Sequence, residues 1–67
     1  MRDNEELVEF DDIFCRRDTP IAILVRVEGQ EVWIPKSQIH ADSEVFAAGT
    51  DGKLIISQWI AEKKGLV

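Results

Sequence analysis

The feature that most constrains the fold is a pair of short apolar runs that only Glu28 and Gly29 separate. A two-residue loop joins antiparallel strands, and glycine at its second position can adopt the positive φ that such turns require. The loop length also fixes the register, which sets Leu24 opposite Trp33. The predicted strands span residues 21–27 and 30–34. One face of this hairpin is predicted to be apolar, formed by Ile21, Ile23, Val25, Val27, Val32 and Ile34.

The proline at position 35 limits how this hairpin continues. Proline has no N–H to donate to a ladder, so the second strand should end there or run along a sheet edge. Residues 36–42 are then a predicted loop and 43–47 a short strand. A turn with two glycines follows at 48–52, and a further strand at 53–57.

The segment 7–16 fits two structures. Leu7, Phe10 and Phe14 would share one face of a helix, whereas the aromatic and β-branched residues around Cys15 favour a strand over about 8–16. We expect the strand, and the helix stays open at this point.

The C-terminal segment predicts a short helix. Ser57 can cap its first turn, and Gly65 suits the left-handed position just after its end. A helix of about seven residues is too short to stand alone, so it should dock on the sheet, with Trp59 and Ile60 buried. Trp33 would then be covered by this helix or by the first strand, unless it forms part of a site.

Together these elements predict one domain over residues 1–67, with 1–6 flexible. The predicted class is α+β, mainly β: a small antiparallel sheet of about four strands, or a partly open barrel, with one short C-terminal helix.

The composition limits which cell compartment and which classes of partner fit this chain. Cys15 is the single cysteine and His40 the single histidine, which excludes a disulfide within the chain and argues against structural zinc. The first residues do not resemble a signal peptide, and we expect a cytoplasmic protein. The net charge of −5 resides in the first twelve positions, which carry six acids and one base. An acidic chain favours a basic partner over nucleic acid.

Two residues could carry chemistry. His40 near Asp42 could act as a base or a metal ligand, and Cys15 beside Arg16 and Arg17 could be a nucleophile. Neither has a recognisable set of partner groups in the sequence. We therefore expect an exposed loop histidine, a packed cysteine, no cofactor and no enzymatic activity.

The acidic residues suggest a binding role. Glu9 and Asp11 are two positions apart, as are Asp42 and Glu44, and an extended strand would set such pairs about 6.6–6.8 Å apart on one side. A row of carboxylates at that spacing resembles a nucleic-acid backbone, although an ordinary solvated acidic face has the same composition. The predicted partner-binding residues are Glu9, Asp12, Glu28, Glu31, Asp42 and Glu44.

A second binding role is compatible with the sequence. Trp33 with Lys36 and Arg17 could form a small basic and aromatic platform for a single nucleic-acid strand. This would make the chain a nucleic-acid-binding accessory module instead.

Two stretches also carry a family resemblance. The stretch 31–39 reads Glu-Val-Trp-Ile-Pro-Lys-Ser-Gln-Ile, and 55–66 reads Ile-Ile-Ser-Gln-Trp-Ile-Ala-Glu-Lys-Lys-Gly-Leu. This pattern resembles a group of small phage and bacterial proteins with a Trp-Ile-Pro-Lys-Ser step and a closing helix that contains a tryptophan. The resemblance covers roughly residues 20–66.

One branch of that group is a set of anti-CRISPR proteins, among them short acidic chains that block the type I-C surveillance complex. The resemblance implies an inhibitor, and with the acidic spacing above we expect a monomer that acts by DNA mimicry. Its partner would be the large DNA-binding subunit of a type I-C complex in the host bacterial cytoplasm.

Overall fold

A computed structural model describes residues 6–67 of the chain. The predicted fold class is confirmed: this part of the molecule holds four antiparallel strands in one open sheet and a short C-terminal helix. The prediction that residues 1–6 are flexible falls mostly on residues 1–5, which lie outside the described residues. The elements are β1 (Leu7–Asp18), β2 (Ala22–Val27), β3 (Gln30–Pro35), a 3-10 turn (Lys36–Gln38), β4 (Asp51–Ser57) and α1 (Gln58–Lys63).

The sheet has the order β3-β2-β1-β4, so the first strand is central and pairs on both sides. Its N-terminal part lies against β4 and its C-terminal part against β2. Cys15 marks the change of partner, because it pairs with Val25 while its N–H donates to the carbonyl of Thr50 at 2.9 Å. The prediction of a strand in this region is confirmed.

A bulge in β1 breaks the alternation of its side chains. Phe10 pairs with Leu54 and Ile13 with Gly52, so β1 holds one residue more than β4 between these pairs. Asp12 takes up the extra length with a φ of 58°. Because of this insertion Phe10 and Ile13 both face the core, although they are three positions apart. The same insertion explains why the apolar residues of 7–16 follow neither the period of a helix nor the strict alternation of a strand.

The β2–β3 hairpin has the predicted register. Leu24 lies opposite Trp33, and the turn has positive φ at both Glu28 and Gly29. The prediction that Ile21 belongs to the apolar face is wrong, since its side chain is 76% exposed. The strand begins only at Ala22, so Ile21 lies beyond the end of the core.

The prediction of a short strand at 43–47 is also wrong, because none of the described residues between β3 and β4 forms a strand. The segment 39–44 instead runs along the outer edge of β4 with one isolated bridge, between Ile39 and Ile56. Buried Ser43 replaces a ladder there: its hydroxyl accepts from the N–H of Ile55 at 3.2 Å and donates to the carbonyl of Val45 at 2.9 Å. A side chain thus satisfies the backbone groups that a strand would have paired.

The C-terminal helix is capped as predicted. The Ser57 hydroxyl accepts from the N–H of Ile60 at 3.3 Å. At the other end the N–H groups of Gly65 and Leu66 donate to the carbonyls of Glu62 and Ala61, which is the Schellman arrangement. Both ends of the six-residue helix are therefore closed by defined hydrogen bonds.

The predicted burial of Trp59 is wrong. The helix buries Ile60 and Ala61, whereas Trp59 is 55% exposed and lies under the ammonium group of Lys63, 5.3 Å from the ring centre. Successive helical positions differ by about 100°, so a helix that turns Ile60 and Ala61 to the sheet turns Trp59 away. Trp33 is not covered either, with 42% of its surface exposed.

The hydrophobic core lies between one face of the sheet, the helix and the connection before β4. It consists of Ile13, Cys15, Ile23, Val25, Val27, Val32, Ile34, Val45, Leu54, Ile56, Ile60 and Ala61. Within residues 6–67, no helix has the length and apolar character needed to cross a membrane.

We expect the substitution Ser43→Ala to lower the free energy of unfolding by about 1–3 kcal/mol, because it leaves the buried N–H of Ile55 without its acceptor. Urea denaturation measures the change. Ser37→Ala is the matched control, since Ser37 is exposed in the 3-10 turn and should change stability by less than about 0.5 kcal/mol. Equal effects of the two substitutions would contradict the role given to Ser43.

Candidate functional site

Five carboxylates gather across the β1–β4 ladder, and we call this group the acidic edge. The bulge sets Asp11 and Asp12 opposite Lys53, while Asp51 lies opposite Phe14. The group is exposed and consists of Glu9, Asp11, Asp12, Glu44 and Asp51.

Lys53 lies within the acidic edge as its one cation. Its ammonium group is 3.3 Å from the carboxylate of Glu9. The pKa of Lys53 is raised, chiefly by the hydrogen bond and charge of Glu9 and further by the charges of Asp11 and Glu44. Five carboxylates and one ammonium leave the acidic edge at −4, against −5 for the whole chain.

Glu44 has a structural role within the acidic edge. Its Oε1 accepts from the N–H of Lys53 at 2.9 Å, which ties the connection before β4 to that strand. The carboxylate occupies the space where a Cβ at position 52 would lie, so the close approach requires Gly52, whose φ is 124°. Glu44 therefore contributes charge to the edge, while its side chain is held by the backbone.

The structure brings together three of the six predicted partner-binding acids, Glu9, Asp12 and Glu44. The other three lie elsewhere. Glu28 is at the tip of the β2–β3 hairpin, and Glu31 is on β3 at the opposite side of the sheet, 3.5 Å from Arg16. Asp42 lies in the connection before β4, and its carboxylate is 3.7 Å from Nδ1 of His40.

Sequence reasoning did not assign Asp51 and Lys53 to this surface. Both join the acidic edge only through the pairing of β1 with β4, whose paired residues lie 37 to 50 positions apart in the chain. The usable signal was the break in alternation between Phe10 and Ile13, which indicates an inserted residue and places Asp11 and Asp12 at a bulge.

A second surface lies on the face of β1, β2 and β3 that points away from the core. Arg17 pairs with Leu24, which pairs with Trp33, so the three form one row across the strands. We call this the basic aromatic face, formed by Arg16, Arg17, Arg26 and Trp33. Lys36 lies at the end of β3, with its ammonium group 3.5 Å from Asp18.

His40 and Cys15, the two residues considered for chemistry, each hydrogen-bond to the backbone of a residue two positions away. Nδ1 of His40 accepts from the N–H of Asp42 at 3.1 Å. Cys15 is fully buried, its thiol donates to the carbonyl of Arg17 at 3.1 Å, and burial raises its pKa. In the described part of the chain, no group of three or more His, Cys, Asp or Glu side chains is arranged to hold a metal ion.

An open groove of about 420 Å³ lies beside His40. Its walls are formed by Lys36, Ile39, His40, Ala41, Ser43 and Phe46. The only ionisable side chains among them, Lys36 and His40, already have the carboxylates of Asp18 and Asp42 as neighbours. The groove therefore offers a ligand one lysine that already has an acidic neighbour and one imidazole whose Nδ1 already accepts a hydrogen bond.

No protein-family model, curated protein or solved structure matches this chain. The resemblance to small phage and bacterial proteins stays a prediction.

We expect Glu9→Gln to lower the pKa of Lys53 towards that of an ordinary lysine, because it removes the largest cause of the shift. Titration of the lysine Cε and Nζ signals by NMR between about pH 9 and 12 measures this change. Glu62→Gln is the control: Glu62 lies on α1 and contributes nothing to that shift. A Lys53 pKa unaffected by Glu9→Gln would contradict the geometry of the acidic edge.

Proposed function

We propose that this protein is a small inhibitory binding protein, without chemistry of its own, that occupies a basic DNA-recognising surface of a bacterial CRISPR surveillance complex. The observation that carries this proposal is the concentration of charge at the acidic edge, which holds −4 of the chain's −5. A DNA-recognising surface must be rich in Lys and Arg to neutralise phosphates. An acidic edge of this density is complementary to such a surface.

The geometry of the edge supports a mimic of a phosphate backbone. Strand pairing fixes the backbone positions of Asp51 on β4 and of Asp12 in the bulge of β1, so both carboxylates extend from a backbone that is ordered before it meets a partner. Their charges would steer association and would be screened as the salt concentration rises. The sequence resemblance selects the large DNA-binding subunit of a type I-C complex, in the bacterial cytoplasm, as the first partner to test.

The test is binding of the purified chain to a type I-C complex, with target DNA as competitor. We expect at least about tenfold weaker binding when three free carboxylates of the acidic edge are neutralised, because each contributes charge to one contact surface. The variant combines Asp11→Asn, Asp12→Asn and Asp51→Asn; asparagine tolerates the positive φ at position 12.

The matched control removes the same charge elsewhere, with Glu28→Gln, Asp42→Asn and Glu62→Gln. It should bind within about twofold of the original chain, since rim charges away from a contact surface contribute little. Equal losses in both triple variants would show a dependence on net charge alone and would contradict a docking role for the acidic edge. No binding by the unaltered chain would remove this partner.

A second function is supported by the row of Arg17, Leu24 and Trp33. Single-stranded nucleic acid stacks on exposed aromatic rings within a basic surface, and the half-exposed indole of Trp33 shares a row with Arg17, with Leu24 between them. In this alternative the chain is a nucleic-acid-binding accessory module that uses Trp33 with Lys36 and Arg17.

Fluorescence anisotropy with labelled single-stranded DNA at low salt tests this alternative. Trp33→Ala should weaken binding by about fivefold or more, because stacking contributes ~1–3 kcal/mol per base. Trp59→Ala is the control, since Trp59 is exposed to a similar extent but lies on the helix. The absence of binding at micromolar protein, or equal losses with both alanines, would exclude a site at Trp33.

A further inference from the structure

The two edges of the sheet differ in how their backbone groups are satisfied. At β4, the carbonyl of Lys53 accepts from the N–H of Glu44 at 2.8 Å, and the carbonyl of Ile55 accepts from the N–H of His40 at 2.8 Å. The N–H groups of the same two residues donate to side-chain oxygens of Glu44 and Ser43. The connection 40–44 therefore covers the outward groups of this edge.

The other edge is β3, which pairs only with β2 among residues 6–67. The N–H of Lys36 donates to the carbonyl of Ile21 at 2.8 Å, so alternate residues before it, Ile34 and Val32, also point their backbone groups at β2. The N–H and C=O groups of Glu31 and Trp33 consequently point outward. In the described part of the chain neither residue has a backbone partner on that side.

The proline at position 35 occupies the next outward position. Its missing N–H would have faced outward, so it leaves the β2–β3 ladder intact and ends the open edge. The edge that remains is one strand segment, residues 31–33, with two outward N–H donors. Such an edge is a template for one more strand.

We propose that the open edge of β3 binds a short extended segment of a partner protein by antiparallel strand addition. This inference does not rest on the proposed function. Backbone groups of Glu31 and Trp33 would supply the hydrogen bonds, as in other cases of strand addition. Their side chains, on the face away from the core, then select the residues that lie opposite them in the added strand.

The side chains define the chemistry of this segment. The Glu31 side chain stays 47% exposed beside its ion pair with Arg16, so a basic residue still fits opposite it in an added strand. An apolar residue fits opposite the half-exposed indole of Trp33. A second copy would offer its own Glu31 and Trp33 at these positions, and neither residue is basic. The occupant is therefore a basic and apolar strand from another protein.

The experiment uses two blocked synthetic peptides, acetyl-Thr-Ile-Thr-Lys-Thr-amide and the same peptide with glutamate in place of lysine. Hydrogen exchange and NMR titration follow the amides of the full chain. We expect the amides of Glu31 and Trp33 to exchange rapidly in the free protein and to become protected by the lysine peptide. Those of Val32 and Ile34 should be protected throughout. The glutamate peptide should bind about threefold more weakly.

Two variants separate the backbone and side-chain contributions. Glu31→Pro removes an outward N–H without removing a hydrogen bond to β2, and should weaken binding of the lysine peptide at least about tenfold. Glu31→Lys keeps the backbone donor and should reverse the preference between the two peptides. A thermal melt checks that each variant is folded. If Glu31→Pro does not fold, the reversed peptide preference of Glu31→Lys still tests the proposal.

Three outcomes would overturn the proposal. Peptide-induced changes at residues other than those of β3 would place the site elsewhere. Protection of the Glu31 and Trp33 amides that grows with protein concentration, without peptide, would make a second copy the occupant. Protection in the free protein at every concentration would show that the chain itself covers this edge.

Discussion

The structure depends on the residue inserted in the first half of the central strand, where β1 pairs with β4. Phe10 and Ile13 can both reach the core only because Asp12 takes a left-handed conformation between them. Without the insertion, the second half of β1 would turn Ile13 and Cys15 to solvent and Phe14 to the core. The apolar side chains of β1 could then face the core beside β4 or beside β2, but not beside both strands. The bulge thus decides which residues form the core and which form the surface.

The same insertion arranges the charges of the surface. It sets Asp11 and Asp12 opposite Lys53, so the first half of β1 joins the carboxylates of Glu44 and Asp51. The second half of β1 carries Arg16 and Arg17 and pairs with β2, which separates it from Trp33 on β3. A single strand therefore contributes to both candidate surfaces, and the position of the bulge separates them.

Local features of the fold could be predicted from the sequence because they depend on neighbouring residues. The hairpin register follows from a two-residue loop, and the helix caps follow from Ser57 and Gly65. The segment 43–47 could not be predicted, because Ser43 bonds to a strand twelve positions away. Trp59 was misplaced for a related reason: which helical positions are buried depends on the direction from which the helix meets the sheet.

The candidate surfaces were predictable only in part. Glu9 and Asp12 are close in the sequence and therefore close in the structure. Asp51 and Lys53 reach the acidic edge only because β4 pairs with β1. The division of β1 into an acidic and a basic half also gives the molecule a permanent electric dipole. A uniformly charged protein is attracted to an oppositely charged surface but not turned by it. This one would experience a torque that presents the acidic half first, so that its orientation is selected before any contact is made.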